Sequence, residues 1–459
     1  MNGRSNRAIN QMTKTVLIVG SGSRENALAW KLKQSPKVEK IFIAPGNPGT
    51  AKFGKNVDIA ATDVLALADF AQKNNIDLTT VGPEDPLALG VVDEFQKRSL
   101  KIWGPSKAAA QIESSKVFSK ELMKQAGIPT AEYQTFTDYN KALEYVESHF
   151  KGSVPIHRRS QPPINGHATD TQPIVIKASG LALGKGVTIC QTLDEAKAAL
   201  NDAMVKKIFG ESGSEVVIEE FLEGMEFSAH AFSDGKNFRL LPCSQDHKRI
   251  FEGDQGPNTG GIGTIAPLPW ITQAHMDTIA TTIVAPTLKA LQEQGSPFVG
   301  LLYPGLIMTK TGPKVIEFNC RFGGPECESY MRILKTDLLD ILEACVEGKL
   351  NELKIEWHET YACCIILCSK GYPDNYEKGL PISGIEEAEK LDDVIVFHAG
   401  TMIQDSIIVT NGGRVLGVTA VADDLKTALD KAYAAVKLIH FDGMHYRTDI
   451  GAKSLSTKD

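Results

Sequence analysis

The stretch TVLIVGSGSRENALAW, residues 15–30, runs from a continuous apolar segment through a glycine turn into a helical pattern. Val16, Leu17, Ile18 and Val19 predict a strand buried on both faces, and a helix is expected from about Arg24 to Gln34. The same order recurs downstream. KIFIA (40–44) ends in PGNPG, DLTTV (77–81) runs into GPEDP, and helical patterns cover 63–74 and 87–98. Strands alternating with helices predict an α/β fold with a parallel sheet, whose ligand loops gather at the carboxyl ends of its strands.

Three such loops carry ligand-type residues. Gly20 and Gly22 let backbone N–H groups approach a phosphate at a helix start. PGNPGT (45–50) and GPEDPL (82–87) fall at the next two strand ends, and Glu84 can accept from ribose hydroxyls or an amine. The dinucleotide fingerprint is broken, because Glu25 stands at the third glycine and the second strand ends in Ala44-Pro45-Gly46 without an acid. The set points to a small phosphorylated sugar and away from a nicotinamide cofactor.

Composition sets outer limits. The chain has 459 residues with 42% hydrophobic and 23% charged, an ordinary globular mixture long enough for roughly three domains. A net charge of −7 excludes a dominant basic surface, so no nucleic-acid partner is expected. No run of about 18 apolar residues appears, so no membrane partner is expected either. The polar first fourteen residues, with Arg4, Arg7 and Lys14, predict a flexible tail. The eight cysteines form no C-x-x-C and sit mostly in apolar runs, which predicts reduced core thiols and a cytoplasmic location.

The middle of the chain carries the charged chemistry. PIVIKASGLALGKGVTI (173–189) reads as strand, glycine loop, strand, where Lys177 needs an anionic partner and Lys185 offers a charge to polyphosphate. It is not a Walker loop, since Gly186 follows Lys185. VVIEEFLEGMEFS (216–228) places Glu219, Glu220, Glu223 and Glu226 around a buried strand, where carboxylates can accept from an adenine amino group and ribose hydroxyls. In VIEFNCRFGGPE (315–326), strand alternation puts Glu317 and Asn319 on one face, two hard oxygen ligands suited to Mg²⁺, or Mn²⁺, beside nucleotide phosphates. Arg321 follows on that face and can hold a carboxyl or phosphoryl group. GDQGPNTGGIGT (253–264) is glycine-dense, too ordered in its turn residues for a linker, and able to wrap a nucleotide or small amino acid through backbone donors, and SQDHKR (244–249) concentrates charge upstream. Hairpins are expected around Asp234-Gly235-Lys236 and Thr311-Gly312-Pro313. The polar run 157–172 predicts a surface loop.

Taken in order, VLIVGSGSRENALAW, APGNPGT, VGPEDPLALG, SSKVFSKELMKQAGIPT, SQDHKR, GDQGPNTGGIG, EFNCRFGGPE, FHAGT, TNGGRVLGVTA and YRTDIG resemble the phosphoribosylamine–glycine ligase (glycinamide ribonucleotide synthetase) family of the ATP-grasp superfamily. The resemblance spans about residues 15–452. It implies an N-terminal pre-ATP-grasp domain over 15–113 and an ATP-grasp domain over 114–345, with a lid near 130–225 and an insertion near 152–172. A C-terminal mixed β domain over 346–459 follows. The implied reaction joins glycine to 5-phosphoribosylamine with ATP through an acyl phosphate, in purine synthesis. Lys116, Lys177, Glu219 and Glu226 then match nucleotide positions, as does the neighbouring Glu220, and Lys185 is the flap lysine. Glu317 and Asn319 match the metal positions. Arg321 stabilises the acyl phosphate, and Gly22, Glu25, Asn47, Gly49 and Glu84 line the phosphoribosylamine pocket. Asp246, Lys248, Asn258 and Thr259 sit at the substrate junction, which Arg414 can reach.

The chain departs from the family pattern at Asn26, Ser179, Leu183, Gly324 and Glu328, where His, Asp, Ala, Asp and Gln are usual. Gly324 lacks an acid that an amino group could pair with. Two other readings stay open at this level: a paralogue joining a different carboxylate and amine, and a non-catalytic scaffold. The retained Lys177, Glu317, Asn319 and Arg321 speak against the scaffold.

Overall fold

The computed structural model describes residues 13–152, 172–180 and 186–456. The first sheet is parallel and contains β1 (Lys14–Gly20), β2 (Val38–Pro45), β3 (Lys55–Asn56), β4 (Leu78–Val81) and β5 (Ile102–Trp103), in the order β3-β2-β1-β4-β5. β1 shows why its apolar run is unbroken. Leu17 and Val19 enter one core with Phe42 and Ala44, while Val16 and Ile18 enter a second core on the other face. The predicted helix 87–98 is instead two, Glu84–Leu89 and Val91–Lys97, because Gly90 adopts a left-handed conformation with φ 90° between them.

A small antiparallel sheet follows, made of β6 (Tyr133–Phe136), β7 (Ile174–Ala178), β8 (Val187–Cys190) and β9 (Val216–Glu220), ordered β6-β9-β7-β8. It has its own core. Ile174 and Ile176 of β7 and Val216 and Ile218 of β9 pack with Ala142, Val146, Ala196 and Leu200 of the two covering helices. Alternation sends Lys177 and Glu219 to the opposite face of this sheet.

The chain continues through β10 (Met225–Ser228), β11 (Ala231–Asp234), β12 (Phe238–Leu240), β13 (Gln245–Asp246), β14 (Arg249–Phe251), β15 (Gln255–Asn258), β16 (Gly263–Ala266), β17 (Val299–Thr309) and β18 (Gly312–Asn319). The long β17 pairs with β10 and β18 over one half and with β11 over the other, so Ser228, Gly305 and Glu317 share a row. The tail adds β19 (Tyr361–Cys368), β20 (Val394–His398), a hairpin of β21 (Thr401–Gln404) and β22 (Ile407–Thr410), and β23 (Arg414–Ala422).

The segment 253–264 is ordered by strand pairing: β15 pairs with β14, and β16 lies between β13 and β19 in a sheet ordered β13-β16-β19-β23-β20. Its strands come from both sides of residue 346. The helix Leu425–Val436 covers one face of that sheet with Leu425, Ala428, Leu429, Ala432, Ala435 and Val436. The eight cysteines are free and buried. No helix among the described residues is long and apolar enough to cross a membrane.

Candidate functional site

The three loops of the parallel sheet meet as predicted and are braced from inside. Gly46 N–H donates to the Gly20 carbonyl at 3.0 Å, and Gly82 N–H to the Val19 carbonyl at 3.0 Å. Glu25, 2% exposed, accepts from the Gly22 N–H and pairs with Arg24 at 2.6 Å, so it shapes the turn from beneath. A side chain at Gly82 would fall 1.8 Å from Glu25 Oε1, so the close approach of these loops requires glycine there. Asn47 is equally committed: its amide donates to the Ser21 and His398 carbonyls at 2.8 Å each, and its Oδ1 accepts from Thr50 N–H. Asn26 Oδ1 accepts from the His398 N–H at 2.7 Å, and Gly49 backs onto both residues. The end of β20 is thus fastened to the first two loops. Burial holds the His398 imidazole down to about 4, so it is neutral.

The second cluster lies where the small sheet faces β18. Lys177 finds the anionic partner its strand position demanded, Glu219 at 2.9 Å, and also donates to the Ile316 carbonyl at 3.0 Å. The other oxygen of Glu219 meets Lys120 at 3.2 Å. Lys120, on the helix Lys116–Gln125, also donates to Thr130 Oγ1 at 2.7 Å, and burial lowers its ammonium to about 8. Sequence reading missed Lys120, whose only signal is its place one helical turn beyond Lys116. Lys116 donates to the Gly180 carbonyl at 3.0 Å, and burial lowers its pKa. Glu220 pairs with Lys314 at 3.4 Å. Glu226 is exposed on β10. Lys185, Leu183 and most of the 152–172 segment lie outside the described residues, as do residues 1–12 of the tail.

Glu317 carries the strongest sign of an incoming cation. Its carboxylate has no hydrogen bond or ion pair among the described residues. Burial pushes it up, yet Lys248, Lys116, Lys177 and Arg321 outweigh that and hold it below its ordinary range. Asn319 lies two residues on, its Oδ1 touched only at 3.4 Å by Arg321. No group of three or more His, Cys, Asp or Glu among the described residues could hold a metal. The donor set therefore fits a hard cation that takes most of its ligands from a nucleotide, and it does not fit a protein-caged metal.

Arg321 is fully engaged. Glu84 meets its Nε at 3.1 Å, and Glu113 meets its NH2 at 2.8 Å. NH1 donates to the Phe322 carbonyl at 3.3 Å. Glu113 also accepts from the Cys320 N–H at 2.8 Å. Arg321 holds the Glu84 carboxyl down at about 2, against burial. Sequence reading did not find Glu113, which no motif marks.

Behind this face lies a buried polar network. Tyr303 donates to Glu326, Ser228 reaches both, and Tyr330 contacts His230 Nδ1 at 3.0 Å and donates to Ser244 at 2.8 Å. Asp246 pairs with Lys248 at 2.8 Å, and burial raises its carboxyl to about 6 in spite of that lysine. Thr259 donates to the Lys248 carbonyl at 2.7 Å. Asn258 lines a cavity of about 370 Å³ with Arg249, Thr188 of β8, Pro373 and Asp374. Arg414 points its NH1 at the carbonyls of Gly260, Gly261 and Gly324, so it holds loops together from the tail side. Gly324 and Glu328 are neighbours: a Cβ on Gly324 would lie 4.0 Å from both Glu328 oxygens.

Comparisons with known proteins agree with this geometry. Residues 14–113, 114–327 and 362–453 match family models described as the N domain, the ATP-grasp (A) domain and the C domain of phosphoribosylglycinamide synthetase. A phosphoribosylamine–glycine ligase of Rhodopirellula baltica is 46% identical over 445 residues, covering 97% of this chain and 98% of that one. Another, from Caldanaerobacter subterraneus, is 46% identical over 437 residues, covering 95% and 99%. The crystal structure of phosphoribosylamine–glycine ligase from Thermotoga maritima superposes with a TM-score of 0.78 at 30% identity, covering 95% and 99%. The biotin carboxylase domain of a Hydrogenobacter thermophilus 2-oxoglutarate carboxylase, solved with MgADP, shares the fold at a TM-score of 0.68 and 16% identity, covering 95% and 92%.

Proposed function

The chain belongs to the phosphoribosylglycinamide synthetase family, and from that membership we infer how its residues divide the work. The fold is ATP-grasp, and the protein is an ATP-dependent ligase that joins glycine to 5-phosphoribosylamine, giving glycinamide ribonucleotide, ADP and phosphate in purine synthesis. A carboxylate is a poor acyl donor because its oxygen leaves badly. Phosphorylation supplies the leaving group, so the protein's task is to position groups and neutralise charge.

The observation that carries the residue assignment is Glu317: a carboxylate without a protein partner, ringed by four cations, on the same strand face as Asn319. These two residues hold the divalent cation, which we assign as Mg²⁺ or Mn²⁺. When bound, the ion neutralises nucleotide phosphate charge. Lys116 and Lys177 face the phosphates, with Lys185 on the flap above. Glu219 acts by holding Lys177 in place, while Glu220 and Glu226 present carboxylates to the base and sugar. The loops at Gly22, Glu25, Asn47 and Gly49, with Glu84, form the phosphoribosylamine pocket. Arg321 faces the acyl phosphate, and Asp246 and Lys248 serve the reacting groups beside it. Asn258, Thr259 and Arg414 order the substrate junction. Free, buried cysteines support a reducing compartment, which we take to be the cytoplasm.

ADP release tests the reading. Release with glycine plus freshly made phosphoribosylamine is expected to exceed release with any other amino acid in a panel. Turnover with another acid but not glycine would overturn the substrate assignment. Glu317→Ala is expected to lower kcat at least ~100-fold with an unchanged thermal melt, and unchanged turnover would reject the metal position.

A further inference from the structure

Every nitrogen of Arg321 already has a protein partner, and only one N–H of NH1 is left over. Its Nε meets Glu84, its NH2 meets Glu113 and its NH1 meets the Phe322 carbonyl. Two carboxylates over-compensate one guanidinium, so an anion approaching Arg321 meets a group that is already neutralised. For Arg321 to turn its full charge and its Nε to an acyl phosphate, one of its acids must let go.

The two acids are not equivalent. Glu113 is 7% exposed at its side chain and is fixed a second time by the Cys320 N–H at 2.8 Å. Glu84 is 21% exposed, and apart from Arg321 its carboxylate is held only by the backbone N–H of its own residue and the nearby charge of Arg24. It opens the helix Glu84–Leu89 at the carboxyl end of β4, beside the sugar-phosphate loops, whereas Arg321 lies beyond the end of β18. The removable partner therefore stands on the acceptor's side of the cleft, and the fixed partner stands with the arginine.

We propose that the Glu84–Arg321 ion pair is a latch that the acceptor opens. Glu84 turns to the hydroxyls and amine of the bound phosphoribosylamine, which frees Arg321 Nε for the anionic acyl phosphate. The latch couples the two half-sites. With ATP and glycine alone, the γ-phosphoryl bond to ADP can break as a P–O bond forms to the glycine carboxylate, but the product lacks its arginine. Any mixed anhydride that forms is cleaved by water, which returns glycine and phosphate and wastes the ATP. Keeping Arg321 closed until an acceptor is present suppresses that loss.

The inference rests on the ligase reading, so the complete reaction is measured first on the full chain. The probe is ribose 5-phosphate, which has the sugar and phosphate but a hydroxyl in place of the amine. Glycine-dependent ADP release by the wild type is expected to rise about tenfold when ribose 5-phosphate is added. Glu84→Gln is expected to show the raised rate with glycine alone, to gain nothing from the sugar phosphate, and to have a higher KM for phosphoribosylamine. Ribose 5-phosphate without effect on a wild type that makes product would overturn the latch and leave the ligase reading intact. So would a folded Glu84→Gln protein with only its KM changed. Absence of product from glycine and phosphoribosylamine would remove both. The wild-type arm decides the matter even where Glu84→Gln does not fold.

Discussion

Glu328 has no exposed surface, and burial pushes its carboxyl up to about 7 in spite of the Ser23 hydroxyl and Arg414 nearby. Its pKa lies above the ordinary glutamate value of 4.5, so the folded state favours the proton. Above pH 7 both states are ionised and the fold bears the buried charge; near pH 4.5 that burden fades. Glu328→Gln is therefore expected to raise the unfolding free energy at pH 8 by up to about 3 kcal/mol, with the gain shrinking toward pH 4.5, as urea melts at the two pH values will read. The adjacent Gly324 departs from the family pattern too. In sequence the two departures read as separate, with an acid lost at one of them. A Cβ added at Gly324 would lie 4.0 Å from the Glu328 oxygens, so the Glu328 carboxylate stands beside the place that a side chain at 324 would take. Adding an acid back with Gly324→Asp is expected to destabilise the chain at pH 8, and Glu328→Gln in the same chain to relieve it. Their spacing of four residues is the one sequence hint, and it counts only once the helix Glu326–Ile333 is known to start between them.

At the scale of elements, Glu219 ties three together: its own β9, Lys177 of β7 and Lys120 of the helix Lys116–Gln125. Glu219→Ala leaves two lysines buried without their common anion. The expected loss is about 3–5 kcal/mol in urea unfolding, together with a higher KM for ATP, and a smaller loss than that of an exposed pair would refute the tie. The sequence showed that Lys177, at the end of an apolar strand, needs an anionic partner, but not that the partner is Glu219, which only the pairing of β7 with β9 brings to the same face. It could not supply Lys120, which the stretch 114–130 contains but does not single out, or Glu113, which lies just before it, because their partners are distant in the chain. The strands β15 and β16 were hidden for a different reason. Glycine weakens local strand preference, and β16 is set by pairing with β19, about a hundred residues further on.

For the whole molecule, Arg414 is the joint. It brings a donor from β23 to the carbonyls of Gly260, Gly261 and Gly324. Arg414→Ala strands those acceptors and is expected to lower stability by roughly 2–4 kcal/mol and to raise KM for both glycine and phosphoribosylamine. Equal kcat and KM with only a lower melt would confine Arg414 to structure. The order of the loops and the shared face of Glu317 and Asn319 were legible because each sits beside an apolar run with a strict period. The assembly of the third sheet was not, since its strands β13 and β16 come more than ninety residues before β19. That arrangement bears on how the chain is made. While a ribosome has yet to deliver Tyr361–Cys368, β16 lacks the strand that pairs with one of its edges, next to Ile262, Ile265 and Ala266, each fully covered in the finished protein. Prematurely terminated products are thus marked by an open sheet edge, which makes them sticky substrates for chaperones and proteases, and only a chain translated through Ala422 closes it.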